Sequence, residues 1–145
     1  MSDMLHNQAS LLDLCTPAAF GLRFISGGSG IVDILNLDSA ARFQIVRSTE
    51  ALNQSTDVLI VDVPAGASDA TLNFVSAADR PLIVLVGEPT SFMDAYSLIK
   101  AAFLETDIKH FYVAVNMANS EPQAQDHFSR FRDITNRFLE VQLTY

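Results

Sequence analysis

Lysine is scarce in this chain, and a lysine-bearing glycine loop is missing from it. The 145 residues hold Lys100 and Lys109 as their only lysines, and neither follows a run of glycines. The pattern G-x-x-x-x-G-K-[S/T], whose backbone amides and lysine grip nucleotide phosphates, occurs nowhere. Cys15 is the single cysteine, which excludes an internal disulfide and a metal site built from cysteines. His6, His110 and His127 show no ligand spacing such as H-E-x-x-H. Positive charge is also short: nine Lys and Arg stand against 17 Asp and Glu, for a net charge of −8. The densest basic group, Arg130, Arg132 and Arg137, reads as the solvated face of a helix. Tight nucleic-acid binding relies on clustered Lys and Arg, so no nucleic-acid partner is expected. No apolar run approaches the roughly 18 residues of a membrane span. The first residues are polar, so no secretory signal is visible and a cytoplasmic protein is expected.

What is present is a globular composition, 49% apolar and 18% charged. The length suits one domain with a real core. Strand-like runs recur at 21–26 (GLRFIS), 57–63 (DVLIVDV), 81–87 (PLIVLVG), 110–116 (HFYVAVN) and 141–145 (VQLTY). The second, third and fourth are apolar at successive positions, as in strands covered by helices on both faces. Helix-like segments lie between them. The segment 37–53 has Asp38 or Ser39 as cap, and 68–78 follows a Pro-Ala-Gly turn. The segment 91–104 opens on Ser91 with Asp94 three residues on, and 120–139 opens on Ser120 with Pro122 in its first turn and Gln123 three residues after the cap. Phe128, Phe131, Ile134 and Phe138 recur at helical spacing and read as the side of that last helix that faces a sheet. Strands alternating with helices predict an α/β fold: a three-layer, mostly parallel sheet of about five strands with right-handed crossovers. Residues 1–20 are expected to form a weakly ordered arm, and 21–145 a single domain.

Asp62 is the strongest candidate for chemistry. An apolar run, Val58–Val61, leads straight into it, and a Pro/Gly turn follows. A buried parallel strand delivers an acid to the carboxyl edge of a sheet in this way, and such an edge is where P-loop NTPases hold Mg²⁺ and the attacking water. The alternative is an acid that caps the next helix. Gly66 permits φ > 0 and a close backbone approach to a phosphate, or else an ordinary turn between strand and helix. Thr90 and Ser91 offer hydroxyls at a helix start, or simply cap it. Asn116 ends the fourth strand, where it either reads an adenine edge or makes a turn. The run Ser26-Gly-Gly-Ser-Gly30 looks like a phosphate cradle, but no lysine completes it.

Taken together, DVLIVDVPAG, AADRPLIVLVGEPTSFMDAYSLIK, VAVNM and RFLEVQL, in this order and spacing, resemble the MinD/ParA-type ATPases, and within them the flagellar-number regulators of the FlhG (FleN) branch. GLRFISGGSG also resembles the segment those proteins carry before their switch II strand. The likeness covers roughly residues 11–145. It implies an incomplete SIMIBI-type P-loop NTPase fold. It also implies Asp62 as the switch II acid near Mg²⁺, bound through water, and the catalytic water. Gly66 becomes the switch II glycine beside the γ-phosphate, and Asn116 the adenine contact. The family often has Arg after that Asn, and here it is Met117. ATP and Mg²⁺ are the implied cofactors. An FlhF-type GTPase and flagellar C-ring proteins are the implied partners, alongside a second copy of the chain.

The departures from the family are large. Its first strand, its deviant Walker A loop with two lysines, and its switch I segment have no counterpart here. Neither do its final strands, its ribose-side loop and its amphipathic membrane-targeting helix. The expectation is therefore a truncated or degenerate relative of ATP-dependent regulators of flagellar number and placement, unable to hydrolyse ATP alone. The alternative is a non-enzymatic protein-binding module derived from the same fold. In the family the P-loop strand lies beside the strand that ends in Asp62. Without it, residues 57–63 should pair directly with 81–87 or leave apolar edges open, which favours self-association.

Overall fold

The computed structural model describes residue 11 and residues 13–26, 39–52 and 55–145. It divides into two compact units, Met1–Asp62 and Val63–Tyr145.

In the first unit a short hairpin joins β1 (Thr16–Pro17) to β2 (Arg23–Phe24), antiparallel, with Thr16 opposite Phe24. Its turn is a 3₁₀ segment, Ala19–Gly21, in which Phe20 and Gly21 both take positive φ. The Arg23 guanidinium donates to the Ser55 carbonyl, and to the Thr56 hydroxyl at 2.8 Å. Helix α1 (Ser39–Ser48) runs into a 3₁₀ turn, Thr49–Leu52. The hydroxyls of Ser48 and Thr49 donate back to the carbonyls of Ile45 and Val46, at 2.6 and 2.7 Å. Side chains of this kind compete with the regular ladder, and the helix tightens and ends where they do so. Ile45 and Leu52 are buried, as is Leu11.

The second unit is a βαβαβ arrangement preceded by a helix. Helix α2 (Asp69–Ala77) leads to β3 (Leu82–Leu85), α3 (Pro89–Thr106), β4 (His110–Val115), α4 (Glu121–Thr135) and β5 (Gln142–Thr144). The three strands are parallel in the order β3-β4-β5, with Leu82 beside Tyr112 and His110 beside Gln142. Each helix start has a chemical cause. Ser68 caps α2 by accepting from the Thr71 amide, Pro89 opens α3, and Ser120 caps α4 by accepting from the Gln123 amide. Helix α3 ends on Asp107 at φ 56, a left-handed stop that short polar side chains tolerate.

Both crossovers step the same way across the sheet, so right-handed connections place α3 and α4 on the same face. The packing agrees. Ile83, Leu85, Phe111, Val113 and Leu143 share one buried cluster with Leu72 and Val75 of α2, Ile99 of α3, and Phe128 and Phe131 of α4. The Phe92 and Phe131 rings meet edge to face with centroids 5.5 Å apart. The opposite face stays open: Leu82 and Val84 are each 60% exposed. Around them, the Arg80 guanidinium lies over the Tyr112 ring at 5.9 Å, and His110 Nε2 meets the Thr144 hydroxyl at 2.8 Å.

The α/β class and the mostly parallel strand set match the reading of the sequence, as an incomplete sheet. Several details differ. The run 57–63 is not a strand: it has no regular structure and pairs with no strand among the described residues, so the direct pairing with 81–87 is not formed. Val58, Leu59, Ile60 and Val61 are instead 47–85% exposed. An apolar strand holds its shape only against neighbours, and none of the described residues supplies one. The run 21–26 shrinks to Arg23–Phe24 and pairs antiparallel rather than joining the parallel sheet. β3 buries alternate residues rather than all, because helices cover one of its faces only. The proposed capping pair Ser91 and Asp94 does not form. Helix α3 starts earlier, after Glu88, and the Ser91 hydroxyl accepts from the Val86 amide instead, at 3.1 Å. The Asp38 cap and the glycines of the Ser26–Gly30 run lie outside the described residues.

Helix α4 turns inward through Ala124, Phe128, Phe131 and Thr135, whereas Ile134 and Phe138 are exposed. The Thr135 hydroxyl is fully buried and has no hydrogen-bond partner among the described residues. An unpaired buried hydroxyl costs about 1–3 kcal/mol, so an isosteric methyl should be preferred there. Thr135→Val is expected to raise stability by about 1 kcal/mol, read as a higher urea midpoint at unchanged slope. A lowered midpoint would show that the hydroxyl is satisfied in solution.

Candidate functional site

The polar groups singled out in the second unit stand in the turn before α2 and at the carboxyl ends of β3 and β4. At the turn, Gly66 sits at φ 102, and a Cβ built on it meets nothing within 4 Å. Its glycine is therefore required by backbone conformation and not by crowding. The turn is pinned from below by Thr71, which is buried. Its hydroxyl lies 3.4 Å from the Pro64 carbonyl, to which it donates, and 3.1 Å from the Ser68 hydroxyl. The turn is thus tied to the first turn of α2, where backbone amides face outward and Asp69 already supplies a negative charge.

At the sheet edge the Asn116 amide donates to the Leu85 carbonyl at 2.7 Å, which carries the ladder one residue past β4. The Asn116 side chain folds back, its Oδ1 accepting from the Met117 amide at 2.9 Å, and Met117 takes a left-handed φ of 59. Met117 itself is exposed. Beyond it, the Asn119 amide donates to Gln123 Oε1 at 2.7 Å while Ser120 caps α4. Across the edge, the first residue after β3 is held by Ser91, and Gly87 lies against the imidazole of His127 on α4. A Cβ at position 87 would stand 2.7 and 2.8 Å from His127 Cε1 and Cδ2, and closer still to Nε2.

Asp62 is exposed and closes the first unit, whereas Gly66 and Asn116 belong to the second. The sequence reading missed Thr71 and the pair of Gly87 with His127. A glycine at a strand end gave a signal for the latter, but its partner comes from a helix 40 positions on, and no local pattern points there.

A nucleotide triphosphate with Mg²⁺ requires several converging amides and at least one cation at the phosphates. Among the described residues these groups are not gathered. Lys109 pairs with Asp107 at 3.3 Å, and Lys100 is an exposed residue of α3. No cluster of three or more His, Cys, Asp or Glu side chains able to hold a metal is found among the described residues. The described residues therefore do not fit Mg-ATP by themselves. What they do provide is a turn tied to α2 with an open glycine backbone, and a sheet edge with a folded-back Asn.

No protein-family model matches the chain. Among curated proteins it is 32% identical over 145 residues to the antiactivator FleN of Pseudomonas aeruginosa, covering 100% of this chain and 52% of that protein. It is 26% identical over 142 residues to the flagellum site-determining protein YlxH of Helicobacter pylori, covering 97% of this chain and 48% of the relative. A third relative, the phosphate import ATP-binding protein PstB of Mycoplasma mycoides, shares 29% identity over 127 residues, 86% of this chain and 51% of its own length. The chain spans about half the length of the curated relatives it matches. FleN is matched along the whole of this chain and YlxH along nearly all of it, so the chain is a relative of these two proteins, of the FleN/FlhG kind whose motifs it resembles.

Proposed function

We propose that this chain acts as a regulator of flagellar number or placement, in the manner that the names of its relatives FleN and YlxH indicate, and that it does so without hydrolysing ATP by itself. The observation that carries the reading is the 32% identity to FleN along the whole of the chain. In this reading Asp62 is the acid that would face Mg²⁺ through water, Gly66 the turn glycine beside the terminal phosphate, and Asn116 the base contact. The phosphate-gripping groups must then come from outside the described residues, for ATP to bind at all. The proposed setting is the cytoplasm. The proposed partners are a second copy of this chain, an FlhF-type GTPase or flagellar C-ring proteins. Among the described residues no helix is long and apolar enough to cross a membrane.

The second reading, a protein-binding module that has left nucleotide chemistry behind, draws on a separate observation. Four consecutive apolar residues, Val58–Val61, and one sheet face with Leu82 and Val84 are left open to solvent. Surfaces of that kind mark interaction sites.

The test is to express the chain in Pseudomonas aeruginosa lacking its own FleN and to count flagella per cell by electron microscopy. The reading predicts a count altered relative to empty vector. An unaltered count, with the chain present at normal levels on a blot, would contradict it.

A further inference from the structure

We draw no further inference here: the strongest candidate, the exposed surface patch of Ile134 at the end of α4 and Phe138 just beyond it, with Tyr96 of α3 against the Phe138 ring, is an apolar face for which nothing in the structure shows what covers it.

Discussion

Phe131→Ala is expected to cost about 3–5 kcal/mol, which would take a large part of the stability of the unit it holds together. Phe131 is 0% exposed, lies in the middle of α4, and meets the Phe92 ring of α3 edge to face. It is therefore the residue through which two helices and the covered face of the sheet are joined. Truncation would remove most of a ring from a cluster that also holds Ile99, Phe111 and Leu143. Packed interiors relax only in part around such a gap, so the cost combines lost burial with cavity formation. Phe138 provides the internal comparison. It belongs to the same apolar run of the sequence but is 71% exposed, touching Tyr96 at a centroid distance of 6.4 Å. Phe138→Ala is expected to cost less than about 1 kcal/mol. Urea denaturation followed by circular dichroism separates the two. Equal costs would show that α4 is rotated from the position described.

Gly87→Ala is the second large effect, expected at about 1–3 kcal/mol, and its cause is steric rather than conformational. The added methyl would fall on the His127 ring, 2.7 Å from Cε1 and 2.8 Å from Cδ2, and the half-buried ring would have to swing away. Removing the ring should remove the penalty. In a double-mutant cycle, Gly87→Ala added to His127→Ala is expected to cost little, a coupling of about 1–3 kcal/mol. Additive costs would mean that Gly87 is needed for its backbone and not for the imidazole beside it. The measurement also bears on the candidate site, because this contact fixes where α4 and the Asn116 loop stand relative to the end of β3.

The two aromatic positions show what could be read from the sequence and what could not. The amphipathic spacing of Phe128 and Phe131 is a local property, and both are buried on the sheet-facing side as expected. Where the helix ends is also local, but the sequence marks it weakly. The helix stops at Thr135, so Phe138 leaves the stripe, and Thr135 takes the inward place. The cap at Ser120 was legible because capping needs only a hydroxyl and an amide three residues on. The run ending in Asp62 was misread for the opposite reason. Its apolar pattern states that the segment can be a buried strand, but being one depends on neighbours that lie elsewhere in the chain or outside it. The candidate site divides along the same line. Gly66 and Asn116 stand out from turn chemistry alone, and Gly66 does take the positive φ read for it. Thr71 beneath the turn and His127 beside Gly87 were invisible, because each owes its position to tertiary packing.

The proposed reading gives Asp62, Gly66 and Asn116 the roles of a nucleotide site, while the described residues gather no phosphate grip. The most direct test is a titration of the purified chain with a fluorescent ATP analogue and Mg²⁺, alongside Asp62→Ala. The account predicts no saturable binding below millimolar analogue, and the same flat response from the variant. Micromolar binding to the chain, lost in Asp62→Ala, would contradict it by showing that this half of the family fold grips nucleotide on its own.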